Sequence, residues 1–126
     1  MKITELLLAR IEEDEAASQQ PRGRHWTTNS CYEIEDENGK CVLEVGFEGG
    51  YDFEGNVIEH FARHDPSRVL AECAAKRAIL AGRKRSDSSM ADDEWSMGWS
   101  DANYDALHAL AAVYKDHPDW RPEWAL

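Results

Sequence analysis

Asp65-Pro66 constrains the fold of this chain more than any other feature, because one helix cannot run through it. Proline lacks a backbone N–H and pushes the residue before it out of helical geometry. At the first position of a new helix the same residue costs nothing. Asp65 is a preferred N-cap, with a carboxylate able to accept an orphan N–H of the first turn. The pair therefore predicts two consecutive helical segments, about 56–63 and 66–82, joined by an elbow. The second segment carries Val69, Leu70, Cys73, Ile79 and Leu80 on its inner face. Gly82 is expected to end it, and Lys76, Arg77, Arg83, Lys84 and Arg85 gather towards the end that the helix dipole makes favourable for cations.

Asn38-Gly39 predicts a β-hairpin with a two-residue type I′ turn, since both flanks alternate apolar and polar residues. That register sets Glu37 against Lys40, Glu35 against Val42, Ile34 against Leu43, Glu33 against Glu44, and Tyr32 against Val45. Tyr32, Ile34, Cys41, Leu43, Val45 and Phe47 then form the face expected to be buried. Cys31 and Cys41 point to opposite sides, which disfavours a disulfide or a shared metal between them. Glu33 facing Glu44 is a mild like-charge conflict.

Around these two features the rest of the chain falls into place. Residues 3–17 read as an amphipathic helix through Ile3, Leu6, Leu7 and Ile11, with the acidic run Glu12-Glu13-Asp14-Glu15 at its unfavourable end. Gly49 to Gly55 is expected as loop or a short third strand. Residues 84–94 lack apolar periodicity and predict a mobile linker. A last helix over about 101–116 presents Tyr104, Leu107, Leu110, Ala111 and Tyr114, and His117-Pro118 opens a tail in which Trp120 and Trp124 pack back on the core. The expectation is a single α+β domain over residues 1–126, with a β-hairpin or small antiparallel sheet packed against three to four helices.

The charge balance narrows the function classes. With 14 basic and 25 acidic residues the chain carries a net charge of -11, which disfavours direct nucleic-acid binding and anionic membranes and suits a basic partner. Ordered carboxylates that mimic nucleic acid are a variant of that reading, weakened by Arg83-Lys84-Arg85. Leu6-Leu7-Leu8 is too short for a signal core or a membrane span and acidic residues follow it; with the odd count of 3 cysteines, the expectation is a reducing cytoplasm.

Catalytic and metal signals are sparse. His60 and His64 share a helical face at a spacing that could hold a metal, but further ligands would have to come from Cys73, His108 or His117 through tertiary structure. The alternative sets His64 beside the Asp65 cap and leaves His60 partly exposed. No CxxC or HExxH occurs, and no metal or cofactor is assigned. Cys73 reads as a small buried hydrophobe. Gly46 to Tyr51 lacks the Lys-Ser/Thr of a phosphate loop. Trp95-Ser-Met-Gly-Trp99 combines residue types favoured in interface cores, although a folding contact is favoured over a binding one.

His60-Phe61-Ala62-Arg63-His64-Asp65-Pro66-Ser67-Arg68-Val69-Leu70-Ala71-Glu72 and the ending Tyr114-Lys115-Asp116-His117-Pro118-Asp119-Trp120-Arg121-Pro122-Glu123-Trp124 carry a resemblance. With the leucine-rich first helix, its acidic run and the segment around His25-Trp26, the chain resembles a family of short actinobacterial and actinophage proteins grouped under a domain of unknown function. Many such relatives carry a cysteine cluster between the central and last helices. Residues 83–100 contain no cysteine here, so the resemblance implies that any zinc site has been lost, with Trp95 and Trp99 in its place. The resemblance marks His60, His64, Asp65, Pro66, Arg68, His117, Pro118 and Trp120 as motif residues, and implies no activity.

The functional expectation is a non-catalytic accessory protein of phage or actinobacterial origin that binds a host protein, basic or itself nucleic-acid-binding, through an acidic surface. The candidate binding residues are Glu12, Glu13, Asp14, Glu15, Asp92, Asp93, Glu94, Trp95 and Trp99, with the Glu33/Glu44 face beside them. A small metal-dependent or hydrolytic enzyme built on His60 and His64, and a homo-oligomeric structural protein, remain as alternatives.

Overall fold

The computed structural model describes residues 1–44, 55–88 and 94–125, excluding the side chains of 55–56, 83–88, 94–97 and 99. Within them the order is α1 (Ile3–Gln19), β1 (Thr27–Thr28), β2 (Glu33–Glu35), β3 (Cys41–Glu44), α2 (Gly55–Arg63), α3 (Pro66–Ser88), α4 (Glu94–Ala112) and a 3-10 turn, Pro122–Trp124. The strands form one antiparallel sheet in the order β1-β2-β3. The architecture is α+β. The chain divides into two compact units, one of Met1–Glu13 with Cys73–Leu126 and one of Asp14–Glu72.

The first unit is helical because its apolar residues recur at helical spacing. Leu6, Leu7 and Ile11 of α1 are buried, as are Cys73 of α3 and Leu107 and Ala111 of α4. Full burial of each Leu or Ile contributes about 1.5–3 kcal/mol. Leu7, Leu107 and Ala111 form the centre, with Ile3, Ile79, Leu80, Leu110, Tyr114 and Trp120 packed around them. The tail folds back as expected: Trp124 is buried and meets Trp120 edge-on at 5.7 Å. His108, unremarkable by its sequence position, is also buried, and its Nδ1 donates to the Trp124 carbonyl at 3.0 Å. Tyr104 departs from the expected inner stripe and is 51% exposed, its ring stacked on His108.

Three helix boundaries in α3 and α4 differ from expectation. Gly82 does not end α3, which continues to Ser88. Gly82 is buried, with Asn103 of α4 beside it, so the glycine serves a helix interior rather than a cap. Lys and Arg are good helix formers and carry the helix through 83–85. Likewise α4 begins at Glu94 and ends at Ala112, earlier at both ends than periodicity alone suggests. Of the linker expected over 84–94, residues 84–88 belong to α3 and Glu94 to α4, while 89–93 lie outside the described residues.

In the second unit α2 packs on β1 and β2, with Ile58, Ala62 and Ile34 buried and Val57 and Phe61 left on its outer side. The hairpin forms between the expected strands, and Glu33 opposes Glu44 and Ile34 opposes Leu43 as the alternation predicts. Its turn is different. Asp36 C=O accepts the Gly39 N–H at 3.0 Å and Asp36 N–H donates to Lys40 C=O at 2.9 Å, which closes a three-residue loop. Gly39 takes φ 73° whereas Asn38 does not enter the left-handed region, so the turn is not type I′. The Asp36 carboxylate decides this by accepting the N–H groups of Asn38 (2.8 Å) and Lys40 (2.9 Å).

The altered turn brings a bulge between Ile34 and Glu35, so Glu35 opposes Cys41 instead of Val42. A shift of one residue moves a side chain to the other face. Cys41 therefore joins the acidic side of the sheet. Tyr32, at φ 58°, precedes β2 in a turn rather than continuing the strand. Of the expected buried face, Ile34 alone among the described residues is buried, while Tyr32, Cys41 and Leu43 are exposed; Val45 and Phe47 lie outside the described residues. Segment 49–54, for which the sequence predicts loop or strand, lies outside them too. The third strand is instead β1, at the opposite edge.

Candidate functional site

The Asp65-Pro66 elbow is the organising element of the second unit, and its carboxylate does two things. Oδ1 accepts the Arg68 N–H at 2.8 Å, which is the N-cap bond. Oδ2 accepts the Trp26 N–H at 3.2 Å and so fixes the entry to β1. The neighbouring helix donors are occupied as well: Ser67 N–H donates to Arg24 C=O at 3.0 Å and Val69 N–H to Asp65 C=O at 3.1 Å. Pro66 has no N–H to offer. The start of α3 thus has no backbone N–H left for an anion.

Segment 22–26 is held from its other side by the hairpin turn. Glu37 accepts the N–H groups of Arg24 (3.0 Å) and His25 (3.2 Å); its own backbone N–H first, and then these two, hold its carboxyl below the usual carboxylate range. The segment can approach so closely because residue 23 is glycine. Its φ is +73°, and a Cβ there would lie 2.5 Å from Cβ of Asp36. The indole Nε1 of Trp26 donates to Arg22 C=O at 3.0 Å.

These anchors leave an open cleft of about 550 Å³ lined by Trp26, Thr27 and Thr28 on one side and by Glu59, Ala62, Arg63, Asp65, Ser67, Arg68 and Ala71 on the other. Arg63 pairs with Glu59 at 2.6 Å and Arg68 with Glu72 at 3.0 Å, each four residues apart on an exposed helix surface. Trp26 also lines a second pocket of about 260 Å³ with Asp14, Ala17, Ser18, Pro21, His64, Pro66 and Val69. Both cavities lie within the second unit.

The acidic side of the sheet is a separate surface of the same unit. One amide of Asn29 donates to Glu33 at 3.0 Å and to Glu35 at 2.8 Å, holding two carboxylates on adjacent positions of that face. The Asn29 carbonyl oxygen accepts the N–H groups of Cys31 (2.9 Å) and Glu33 (3.1 Å), which shapes the turn into β2. Cys41 lies among Glu33, Glu44 and Glu35. Although the residue is exposed, desolvation of its thiol pushes the pKa up, and the three carboxylates add to the shift. No basic side chain is ion-paired to Glu33, Glu35 or Glu44 among the described residues.

The other sequence-selected residues are dispersed. His60 and His64 do stack on one face, with ring centroids 4.4 Å apart. His64 Nδ1 donates to His60 C=O at 2.8 Å, leaving Nε2 as its remaining nitrogen, and both residues are exposed. Among the described residues no group of three or more His, Cys, Asp or Glu side chains is placed to hold a metal. The acidic run divides between the units: Glu12 and Glu13 are exposed in the first, with Glu13 bound to Arg10 at 2.7 Å, whereas Asp14 and Glu15 are half-buried in the second. His117 lies in the first unit, where Arg10 Nη1 meets its Nε2 and the Asp119 N–H donates to its Nδ1 at 3.1 Å. Pro118 and Trp120 follow in that tail. Asp92 and Asp93 lie outside the described residues, as do the side chains of Glu94, Trp95 and Trp99.

Several site residues carry no signal strong enough to single them out in the sequence. Thr27-Thr28 is β-branched, but a two-residue run is too short to identify a strand. Asn29 and Glu37 act through contacts that only the folded chain creates.

Residues 1–126, the whole chain, match the model of a family described as "Family of unknown function (DUF6221)". No curated protein and no solved structure matches the chain. No described helix is long and apolar enough to cross a membrane.

Proposed function

We propose that this chain, which belongs to the DUF6221 family of unknown function, is a non-catalytic module that binds a basic protein partner. The observation that carries this reading is the acidic sheet face. Glu33, Glu35 and Glu44 are concentrated there around Cys41, without an ion pair among the described residues. A net charge of -11 adds long-range attraction for a basic surface and speeds encounter. The setting that suits this reading is the cytoplasm of an actinobacterial cell, with the protein acting on a host protein as an accessory factor of phage or bacterial origin. Glu12 and Glu13, exposed on α1, would contribute to steering, and Asp92, Asp93 and Glu94 remain candidates on charge alone. Nucleic-acid mimicry is the less favoured form of the idea, because the acids of α2 and early α3 are paired with arginine.

The test is affinity capture from an actinobacterial lysate at low and moderate salt, with the wild type beside a Glu33→Gln, Glu35→Gln, Glu44→Gln variant. Gln keeps the acceptors that Asn29 uses and removes the charge. The expected result is a basic partner captured at low salt and lost both at moderate salt and with the variant. A partner retained unchanged in both conditions refutes the acidic face as its binding surface.

A further inference from the structure

We propose that the Trp26–Arg68 cleft binds an extended peptide bearing a single carboxylate, a ligand distinct from the basic partner proposed for the acidic sheet face. The argument starts from the direction of the β1 backbone. Thr27 opposes Glu35 and Thr28 opposes Ile34, and the Asn29 N–H donates to Glu33 C=O at 3.1 Å. Hydrogen-bonded and non-bonded pairs alternate along an antiparallel ladder. Thr28 therefore belongs to a non-bonded pair, and its N–H and C=O point away from β2. Trp26, two residues earlier, points the same way, and its N–H is the one taken by Asp65 at 3.2 Å. Thr28 lines the cleft, so an edge-strand donor and acceptor open onto it. Such an edge is what an added strand pairs with.

The side chains decide the ligand's charge. Both oxygens of Asp65 are committed to backbone N–H groups, and Glu59 is held by Arg63. Both carboxylates that line the cleft thus already have a donor, Glu59 through one oxygen. The guanidiniums beside them keep spare N–H groups. A guanidinium carries five N–H groups. Arg63 gives Glu59 a bond at 2.6 Å, and Arg68 contacts Glu72 at 3.0 Å and Arg63 C=O at 3.4 Å. Their side chains are 68% and 49% exposed, and exposed pairs of this kind exchange readily for a better-placed carboxylate. Thr27, Thr28 and Ser67 line the same space. The net charge of -11 sets a limit, since repulsion at a distance grows with each negative charge on the ligand. One carboxylate on an otherwise uncharged strand therefore suits the cleft better than an acidic run.

The full-length chain, 15N-labelled, is titrated with acetyl-Thr-Val-Thr-Glu-amide and with its Gln analogue while backbone amides are followed by NMR. The expected result is saturable shifts at Thr28, Ala62 and Arg68 with the Glu peptide, and affinity lower by about tenfold for the Gln peptide, the loss of one charge-assisted contact. Arg63→Gln and Arg68→Gln should weaken the Glu peptide similarly and leave the Gln peptide unaffected. Absence of shifts at Thr28 at millimolar peptide, or equal affinity for the two peptides, overturns the proposal. Neither result bears on partner capture by the acidic sheet face, because that test changes Glu33, Glu35 and Glu44.

Discussion

The Trp26 N–H donates a 3.2 Å hydrogen bond to the carboxylate of Asp65, 39 positions away, the same side chain that caps α3 by accepting the Arg68 N–H. One residue thus defines a helix start and the position of a strand. The two duties use different oxygens and can be separated by mutation.

Asp65→Asn retains an oxygen for the Arg68 cap but turns an N–H donor towards Trp26. It should cost about 1 kcal/mol, the net value of one hydrogen bond. Asp65→Ala loses both bonds and should cost about 2–3 kcal/mol. Urea denaturation of the three proteins reads the difference. Equal stability of the Asn variant and the wild type would show that the Trp26 bond adds nothing.

Gly23 and Gly39 share φ 73° and differ in their surroundings. A Cβ added at Gly39 would have no atom within 4 Å, so Gly39→Ala should cost only the left-handed backbone penalty, roughly 1–2 kcal/mol. At Gly23 the same Cβ meets Asp36 Cβ at 2.5 Å, and the added overpacking should raise the cost to about 3 kcal/mol. Thermal melts of the two variants rank them. A Gly23→Ala protein no less stable than Gly39→Ala would contradict the close approach of segment 22–26 to the hairpin turn.

Glu37 links stability to acid pH. Its carboxyl is lowered by its own backbone N–H and by those of Arg24 and His25, and the last two reach it only in the folded chain. The unfolded chain then takes up a proton at higher pH than the folded one. The resulting stabilisation is fully present above the ordinary carboxylate pKa and disappears as pH falls through the lowered folded value. Glu37→Gln should show a shallower loss of stability on acidification through that window. Superimposable pH profiles for the two proteins would remove Glu37 from the clamp.

Cys41 reports the charge around it. Desolvation and the carboxylates of Glu33, Glu44 and Glu35 raise its pKa, which keeps the reactive thiolate scarce. Glu33→Gln with Glu44→Gln should speed alkylation of Cys41 by iodoacetamide at mildly alkaline pH, measured by peptide mass spectrometry. An unchanged rate would place these carboxylates too far away to influence the sulfur.

The elbow is legible in the sequence because proline and an N-cap act locally. Their effect needs no partner, and Asp65 caps Arg68 as the residue order predicts. The apolar stripe of α1 is legible for a similar reason: Leu6, Leu7 and Ile11 share a helical face whatever covers it, and all three are buried. The hairpin is legible only in outline. Asn38-Gly39 announces a turn, but whether it holds two residues or three depends on the Asp36 side chain, and the register at Glu35 follows from that.

The sequence by itself determined the break at Asp65-Pro66, the presence of a turn at Asn38-Gly39 and the apolar face of α1, since proline, an N-cap and apolar periodicity act over a few residues; it did not determine where α3 and α4 end. It determined the excess of negative charge as well. Tertiary structure alone decided that Asp65 holds Trp26, that Glu37 clamps Arg24 and His25, and that Cys41 lies among three carboxylates. The first two join residues 12 to 39 positions apart, and the third follows from the bulge that shifts Cys41 to the acidic face; a side chain with several possible partners finds its own only when the fold brings one near.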